Sequence, residues 1–218
     1  MDGDRGYEIL DPRPVAESAP YTYFLPSPEE IAAVGEGDLV KLVFDYLIEI
    51  EEWAAERMWV TVTNATGDAL TGTLENEPDE KNSPVKCGDS VSFSRHWIID
   101  ILWKQPQFAP SPREQREYWD RCLVDSCVLA GDEPVEYIYR EAPDMTEDGD
   151  TYPDSGWRIR GRQGEASDDD MESRKVEYVA LGAVLNRDDS WLHLIDAEVG
   201  RSFMRDFDAD EYVEQCVD

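Results

Sequence analysis

The sequence predicts an α+β protein of two small domains, each a mostly antiparallel sheet with a few helices. Three observations predict it. Short β-branched and apolar runs recur between turn formers, the pattern of antiparallel strands. A helix-start signature occurs twice, at Ser27-Pro28-Glu29-Glu30 and at Ser111-Pro112-Arg113-Glu114. In each, a serine can cap, proline suits the first helical position and a glutamate at the third completes a capping box. Between the two, Pro106, Pro110 and Pro112 mark a linker. The expected division is a loose arm over 1–20, a domain over 21–105, a linker over 106–112 and a domain over 113–218.

In chain order, residues 1–20 are rich in Pro, Asp and Glu and carry no period. The helix begun at Ser27 is short, because Gly35 and Gly37 follow Val34. Leu39 to Ile50 is dense in apolar residues and reads as a buried strand, although a helix would also bury many of them. Arg57 to Thr63 and Ala69 to Leu74 are strands around the turn Asn64 to Asp68. Glu75 to Lys86 is a loop, Ser90 to Phe93 a further strand, and His96 to Trp103 an apolar run.

Beyond the linker, the Ser111 signature predicts a helix to about Asp120. Arg121 to Leu129 reads as a strand and Val135 to Glu141 as its hairpin partner. Pro143 to Asp154 is a long acidic loop. Val176, Val179, Ala180, Ala183 and Val184 fit helical spacing. The acidic tail is expected to fray.

The chain of 218 residues carries 50 acidic and 20 basic residues, a net charge of −30. Acidity is spread: 8 basic and 21 acidic residues up to Pro110, then 12 and 29. Such a surface repels phosphate backbones and anionic lipid, so no nucleic-acid or membrane partner is expected. It attracts a basic protein, though solubility or a high-salt habitat would give the same composition. Seven Trp, ten Tyr and 41% hydrophobic residues provide for a packed core. No apolar run reaches the roughly 18 residues of a membrane span, and from Met1-Asp2-Gly3-Asp4 no signal peptide is expected. Cys87, Cys122, Cys127 and Cys216 match neither a zinc nor a redox spacing, and reduced thiols in a cytoplasmic protein are the default.

The segment 38–104 carries Glu56-Arg57-Met58-Trp59-Val60, Leu70-Thr71-Gly72-Thr73-Leu74-Glu75-Asn76-Glu77-Pro78 and Gly88-Asp89-Ser90-Val91-Ser92-Phe93 through Ile98-Ile99-Asp100. On these it resembles a small bacterial family catalogued as domain of unknown function 2314, a resemblance that implies no activity. The segment 120–214 carries Cys122-Leu123-Val124, Tyr137-Ile138-Tyr139-Arg140-Glu141-Ala142-Pro143, Asp154-Ser155-Gly156-Trp157-Arg158, Leu194-Ile195-Asp196-Ala197-Glu198-Val199-Gly200 and Phe203-Met204-Arg205-Asp206. On these it resembles the immunity protein 33 family, also catalogued as domain of unknown function 2185. That resemblance implies an α+β fold and a bacterial immunity protein of a polymorphic toxin system.

The candidate site centres on Asp154 to Arg162. Pro153 to Gly156 are turn formers, after which Trp157 and Ile159 alternate against Arg158, Arg160 and Arg162. The arginine row is either a seam paired with Asp168, Asp169 and Asp170, or a recognition face. The seam takes precedence, since charge runs are usually solvated or locally paired. Candidate binding residues are Trp157, Arg158, Arg160 and Arg162 with the acids Asp148, Asp150, Asp168, Asp169 and Asp170.

His96 and His193, the only histidines, form no argued constellation, so no catalytic residue, metal ligand or cofactor is expected. Asp148-Gly149-Asp150 loosely suggests calcium but lacks EF-hand spacing. The resemblance to the immunity protein 33 family implies a non-catalytic acidic protein that neutralises a cognate toxin by occlusion, and the acidic surface suits a basic protein toxin. The alternative is a housekeeping or regulatory ligand-binding module.

Overall fold

A computed structural model describes residues 5–215, apart from the side chains of Asp168 and Glu172. Met1 to Asp4 and Cys216 lie outside the described residues. The chain forms two compact units, one of residues 1–18 with 23–115, the other of 19–22 with 116–218. Each unit is built on one sheet with a few short helices, the predicted α+β class.

In the first unit, β1 (Tyr7–Ile9), β2 (Leu39–Tyr46), β3 (Ala55–Thr66), β4 (Ala69–Leu74) and β5 (Ser90–Ser94) pair antiparallel in that order. The short β6 (Asp100–Leu102) also pairs with β2. Strand alternation settles the Leu39 run: Val40, Leu42, Phe44 and Tyr46 are buried and their neighbours are not. Gly72 lets β4 lie close to β3, since a Cβ there would stand 2.4 Å from Val60 Cγ1 and 2.5 Å from Thr61 O. Two helices precede β2, α1 (Arg13–Ser18) and α2 (Pro28–Ala33). The capping box at α2 forms: Glu30 N–H donates to Ser27 Oγ at 3.2 Å and Ser27 N–H to Glu30 Oε2 at 2.8 Å. Residues 1–20, expected as an arm, contribute β1 to the sheet edge. Tyr7 packs there on Phe44 with ring centroids 5.5 Å apart.

The second unit contains β7 (Arg121–Asp125), α3 (Ser126–Ala130), β8 (Val135–Arg140), β9 (Asp154–Gly161), α4 (Asp168–Glu172), β10 (Val176–Ala180), α5 (Leu181–Leu185), β11 (Ser202–Asp206) and β12 (Glu211–Glu214). The sheet order is β10-β7-β9-β8-β11-β12, with β7 and β9 parallel and the other pairs antiparallel. Cys122, Val124, Ile138, Trp157, Ile159 and Phe203 from the sheet meet Val128, Leu181, Val184, Leu185, Trp191 and Ile195.

Four expectations change here. Ser111 to Asp120 is not helical: Arg113-Glu114-Gln115-Arg116-Glu117 offers no apolar stripe, and a capping signature alone does not sustain a short helix. Val176 to Leu185 is a strand followed by a five-residue helix. Pairing of β10 with β7 overrides the helical spacing. The strand from Arg121 ends at Asp125, and β9 rather than β8 lies beside it. The tail up to Glu214 does not fray but pairs with β11.

Residues 19–22 belong to the second unit. Tyr21 N–H donates to Asn186 Oδ1 at 2.9 Å, and Asn186 Nδ2 to Thr22 Oγ1 at 2.6 Å. Gly182 makes room for them, since a Cβ there would lie 2.7 Å from Tyr21 O.

Candidate functional site

The site begins at a backbone crossing. Gly156 has φ of +80°, and a Cβ there would fall 2.1 Å from Glu141 O. Only glycine fits both conditions. The crossing turns Trp157 inward, where it is fully buried, donates from Nε1 to Ile195 O at 3.2 Å and packs on Trp191 at 5.6 Å. Trp157 is thus a core residue.

Arg158 points to the opposite face and is nearly as enclosed, its side chain 5% exposed. It meets Asp154 through two bonds of 3.0 Å, Asp144 at 2.8 Å and Glu141 at 3.2 Å. Burial works against ionisation of Asp154. The Arg158 guanidinium and the N–H groups of Gly156, Met145 and Asp144 outweigh it and hold the carboxyl at about 2. The bond to Asp154 likewise raises the pKa of Arg158.

Arg160 reaches Asp125, whose side chain is fully buried. Its Nε lies 3.1 Å from Oδ1 off the N–H axis and 3.2 Å from Oδ2 in a bonding direction. Arg174 stands 3.6 Å from the same carboxylate. Arg162 lies over the Phe207 ring at 4.4 Å.

The arginine seam therefore exists with other acids than expected. Its carboxylates are Asp125, Glu141, Asp144 and Asp154. Asp170 instead caps α4, taking bonds from Ser167 N–H at 3.1 Å and Ser167 Oγ at 2.6 Å. Asp169 and Asp148 are exposed, and the side chain of Asp168 lies outside the described residues. Asp150 is clamped by Arg121 at 2.6 and 3.0 Å, which lowers its pKa. With Asp144, Asp150 and Asp154 each held by a guanidinium, the acidic loop is an ion-paired strap. Among the described residues no group of three or more His, Cys, Asp or Glu could hold a metal ion.

The sheet's outward face is the larger feature. Strand register lines up Tyr178, Leu123, Arg158 and Tyr139 in one row, and Arg160 and Tyr137 with Met204 and Val213 in a neighbouring one. Tyr137 and Tyr139 stack at 5.4 Å, while Met204 and Val213 are 39% and 54% exposed. A concavity of about 350 Å³ between Tyr137, Tyr139, Arg160, Met171 and Met204 sits in it. Tyr, Met and Arg are the side chains enriched in protein interfaces. The ion pairs fix the arginines, so the face is preorganised.

Sequence reasoning singled out Arg158 and Arg160 but missed Tyr137, Tyr139 and Met204. The alternation Tyr137-Ile138-Tyr139 was the available signal; the pairing of β8 with β11 that adds Met204 had none. Cys122 is fully enclosed, and burial pushes its thiol pKa up, so it is inert. His193 packs edge-on to Tyr212 at 6.1 Å. Among the described residues no helix is long and apolar enough to cross a membrane.

Residues 122–215 match the family model described as Immunity protein Imm33 domain. Residues 21–107 match that described as Uncharacterized protein conserved in bacteria (DUF2314). These are the two halves whose motifs carry the resemblances. No curated protein and no solved structure matches the chain.

Proposed function

We propose that this chain is a non-catalytic immunity protein that neutralises a basic protein toxin by covering it, with the outward sheet face of the second unit as the docking surface. The supporting observation is a coincidence of place. The immunity-domain match spans β7 to β12, and the same strands present the Tyr137–Tyr139–Met204 face. Tyrosine and methionine supply contact area, and the ion-paired arginines supply a rigid frame. The net charge of −30 steers a basic toxin toward the chain. The chain then works in the cytoplasm, where its cysteines stay reduced.

The test co-expresses the chain with a toxin encoded by a neighbouring gene. Wild type should restore growth and co-purify with the toxin. The triple variant Tyr137→Ala, Tyr139→Ala, Met204→Ala should keep its fold and lose both. Growth no better than with an unrelated acidic protein overturns the reading and favours the regulatory module.

A further inference from the structure

The first unit leaves two strand edges on either side of one cleft. Strands β1 and β5 are the two ends of the antiparallel run β1-β2-β3-β4-β5, so they run parallel to each other. A cleft of about 750 Å³ lies between them, lined by Tyr7 and Ile9 on one side and Ser92, Phe93 and Trp97 on the other.

The hydrogen-bond pattern fixes which backbone groups face it. Leu47 N–H donates to Gly6 O and Leu10 N–H to Val43 O, so Gly6, Glu8 and Leu10 bond to β2 and the peptide groups of Tyr7 and Ile9 point away from it. Leu74 N–H donates to Asp89 O and Arg95 N–H to Asp68 O, so Val91 and Phe93 bond to β4. Ser90, Ser92 and Ser94 point their peptide groups outward.

Edge strands that stay unpaired usually carry charges or proline. At the edges of the other sheet, β10 carries Glu177 and β12 carries Glu211 and Glu214. Strand β5 reads Ser-Val-Ser-Phe-Ser and carries neither guard.

We propose that the first unit binds an extended segment of a partner protein as an added strand between β1 and β5. One strand running antiparallel to both satisfies both edges at once. The five residues of β5 set its span at about 17 Å. Every second side chain of the occupant would point inward over Tyr7, Ile9 and Phe93, so those positions are apolar. Glu8 on β1 and Asp68 by the end of β5 are exposed acids at the cleft, where Arg5 also lines the wall and Arg95 and His96 stand 3.9 and 3.6 Å from Asp68. The net charge of −30 favours basic ends on the occupant.

The probe is the capped peptide Lys-Val-Thr-Val-Thr-Val-Lys carrying a fluorophore, titrated into the full chain. Its anisotropy should saturate, and hydrogen exchange should slow at the amides of Tyr7, Ile9 and Ser92. The same peptide N-methylated at its three valines keeps every side chain but loses the donors to one edge. It should bind roughly tenfold more weakly or worse. Ser92→Pro removes an outward N–H without touching the pairing with β4 and should weaken binding similarly, while Ser92→Ala binds like the parent. If Ser92→Pro does not fold, the N-methylated peptide decides. Equal affinity for both peptides, unchanged exchange at Tyr7, Ile9 and Ser92, or no binding at millimolar peptide overturns the proposal. So does a concentration-dependent dimer that protects the same amides, which would make a second copy the occupant.

Discussion

Arg158 holds Asp154 with both ends of its guanidinium, Nη1 to Oδ1 and Nη2 to Oδ2 each at 3.0 Å, four residues apart on one strand. Asp154 in turn takes N–H bonds from Asp144 and Met145 at 3.1 Å, so one carboxylate ties the strand to the acidic loop. The side chains are 5% and 1% exposed. Removing the Asp154 charge leaves the buried Arg158 guanidinium only the exposed carboxylates of Asp144 and Glu141, and loss of a buried partner costs up to about 3–5 kcal/mol. Asp154→Asn should lose that much in urea denaturation and free the loop to faster exchange at Asp144 and Met145. The double replacement Asp154→Val, Arg158→Met should recover part of the loss, because it removes both charges.

Acid stability in the first unit should track Glu80. Its side chain is buried and accepts backbone N–H bonds from Glu51, Glu52, Trp53 and Asn82 at 2.9 to 3.2 Å. The bonds from Glu52 and Trp53 lead in lowering its pKa to about 2, against burial, which raises it. The folded value lies below the unfolded value of about 4.3. The stabilisation is therefore complete above that value and lost as pH falls from about 4 to about 2. Glu80→Gln should be less stable at pH 7 and show a shallower decline over that window. A decline as steep as the parent's would assign acid unfolding to other carboxylates.

The fold class and β2 to β5 of the first unit were legible because alternation at Leu39 to Tyr46 and turn formers at Asn64 to Asp68 act locally, whereas β1 was not, its three residues lying in an aperiodic Pro-rich stretch. Trp157 was legible as a core residue from its alternation with Arg158. The partners of the arginines were not: Asp125 comes from another strand, and parallel pairing of β7 with β9 leaves no local mark. Nor was Glu80, whose role depends on a loop 27 to 29 residues away closing onto it. The capping signature at Ser111 misled because it is a local signal that lacks an apolar stripe behind it, whereas Ser27 leads to the buried Ile31.

Trp157→Ala should cost about 3–5 kcal/mol, the usual range for emptying a buried aromatic site. Gly156→Ala tests the crossing separately. Positive φ in a non-glycine residue costs about 1–3 kcal/mol, and the Cβ also meets Glu141 O. Thermal melts of both variants check this. A Gly156→Ala protein as stable as the parent would mean that the crossing relaxes.

A fragment beginning at Ser111 lacks residues 19–22. It should fold less stably than the same unit in the full chain, because Asn186 loses its partners at Tyr21 and Thr22 and space opens beside Gly182. In the full chain, Asn186→Ala should reproduce part of that loss. Hydrogen exchange at the Tyr21 amide reads it directly.

Capture of a basic partner separates steering from docking. If the charge of −30 steers, association should approach about 10⁸ M⁻¹s⁻¹ at low salt and fall as the Debye length shrinks to about 8–10 Å. Dissociation should change far less with salt, since short-range contacts hold the docked pair. Asp148→Asn with Asp169→Asn removes two exposed charges and leaves the Asp170 cap of α4 intact. It should slow association and leave melting unchanged. Tyr137→Ala should do the reverse, raising the dissociation rate with a binding loss of about 2 kcal/mol or more if the ring is an anchor. Stopped-flow mixing across a salt series measures both. An association rate indifferent to salt, or a Tyr137→Ala complex that dissociates like the parent's, would place the contact on another surface.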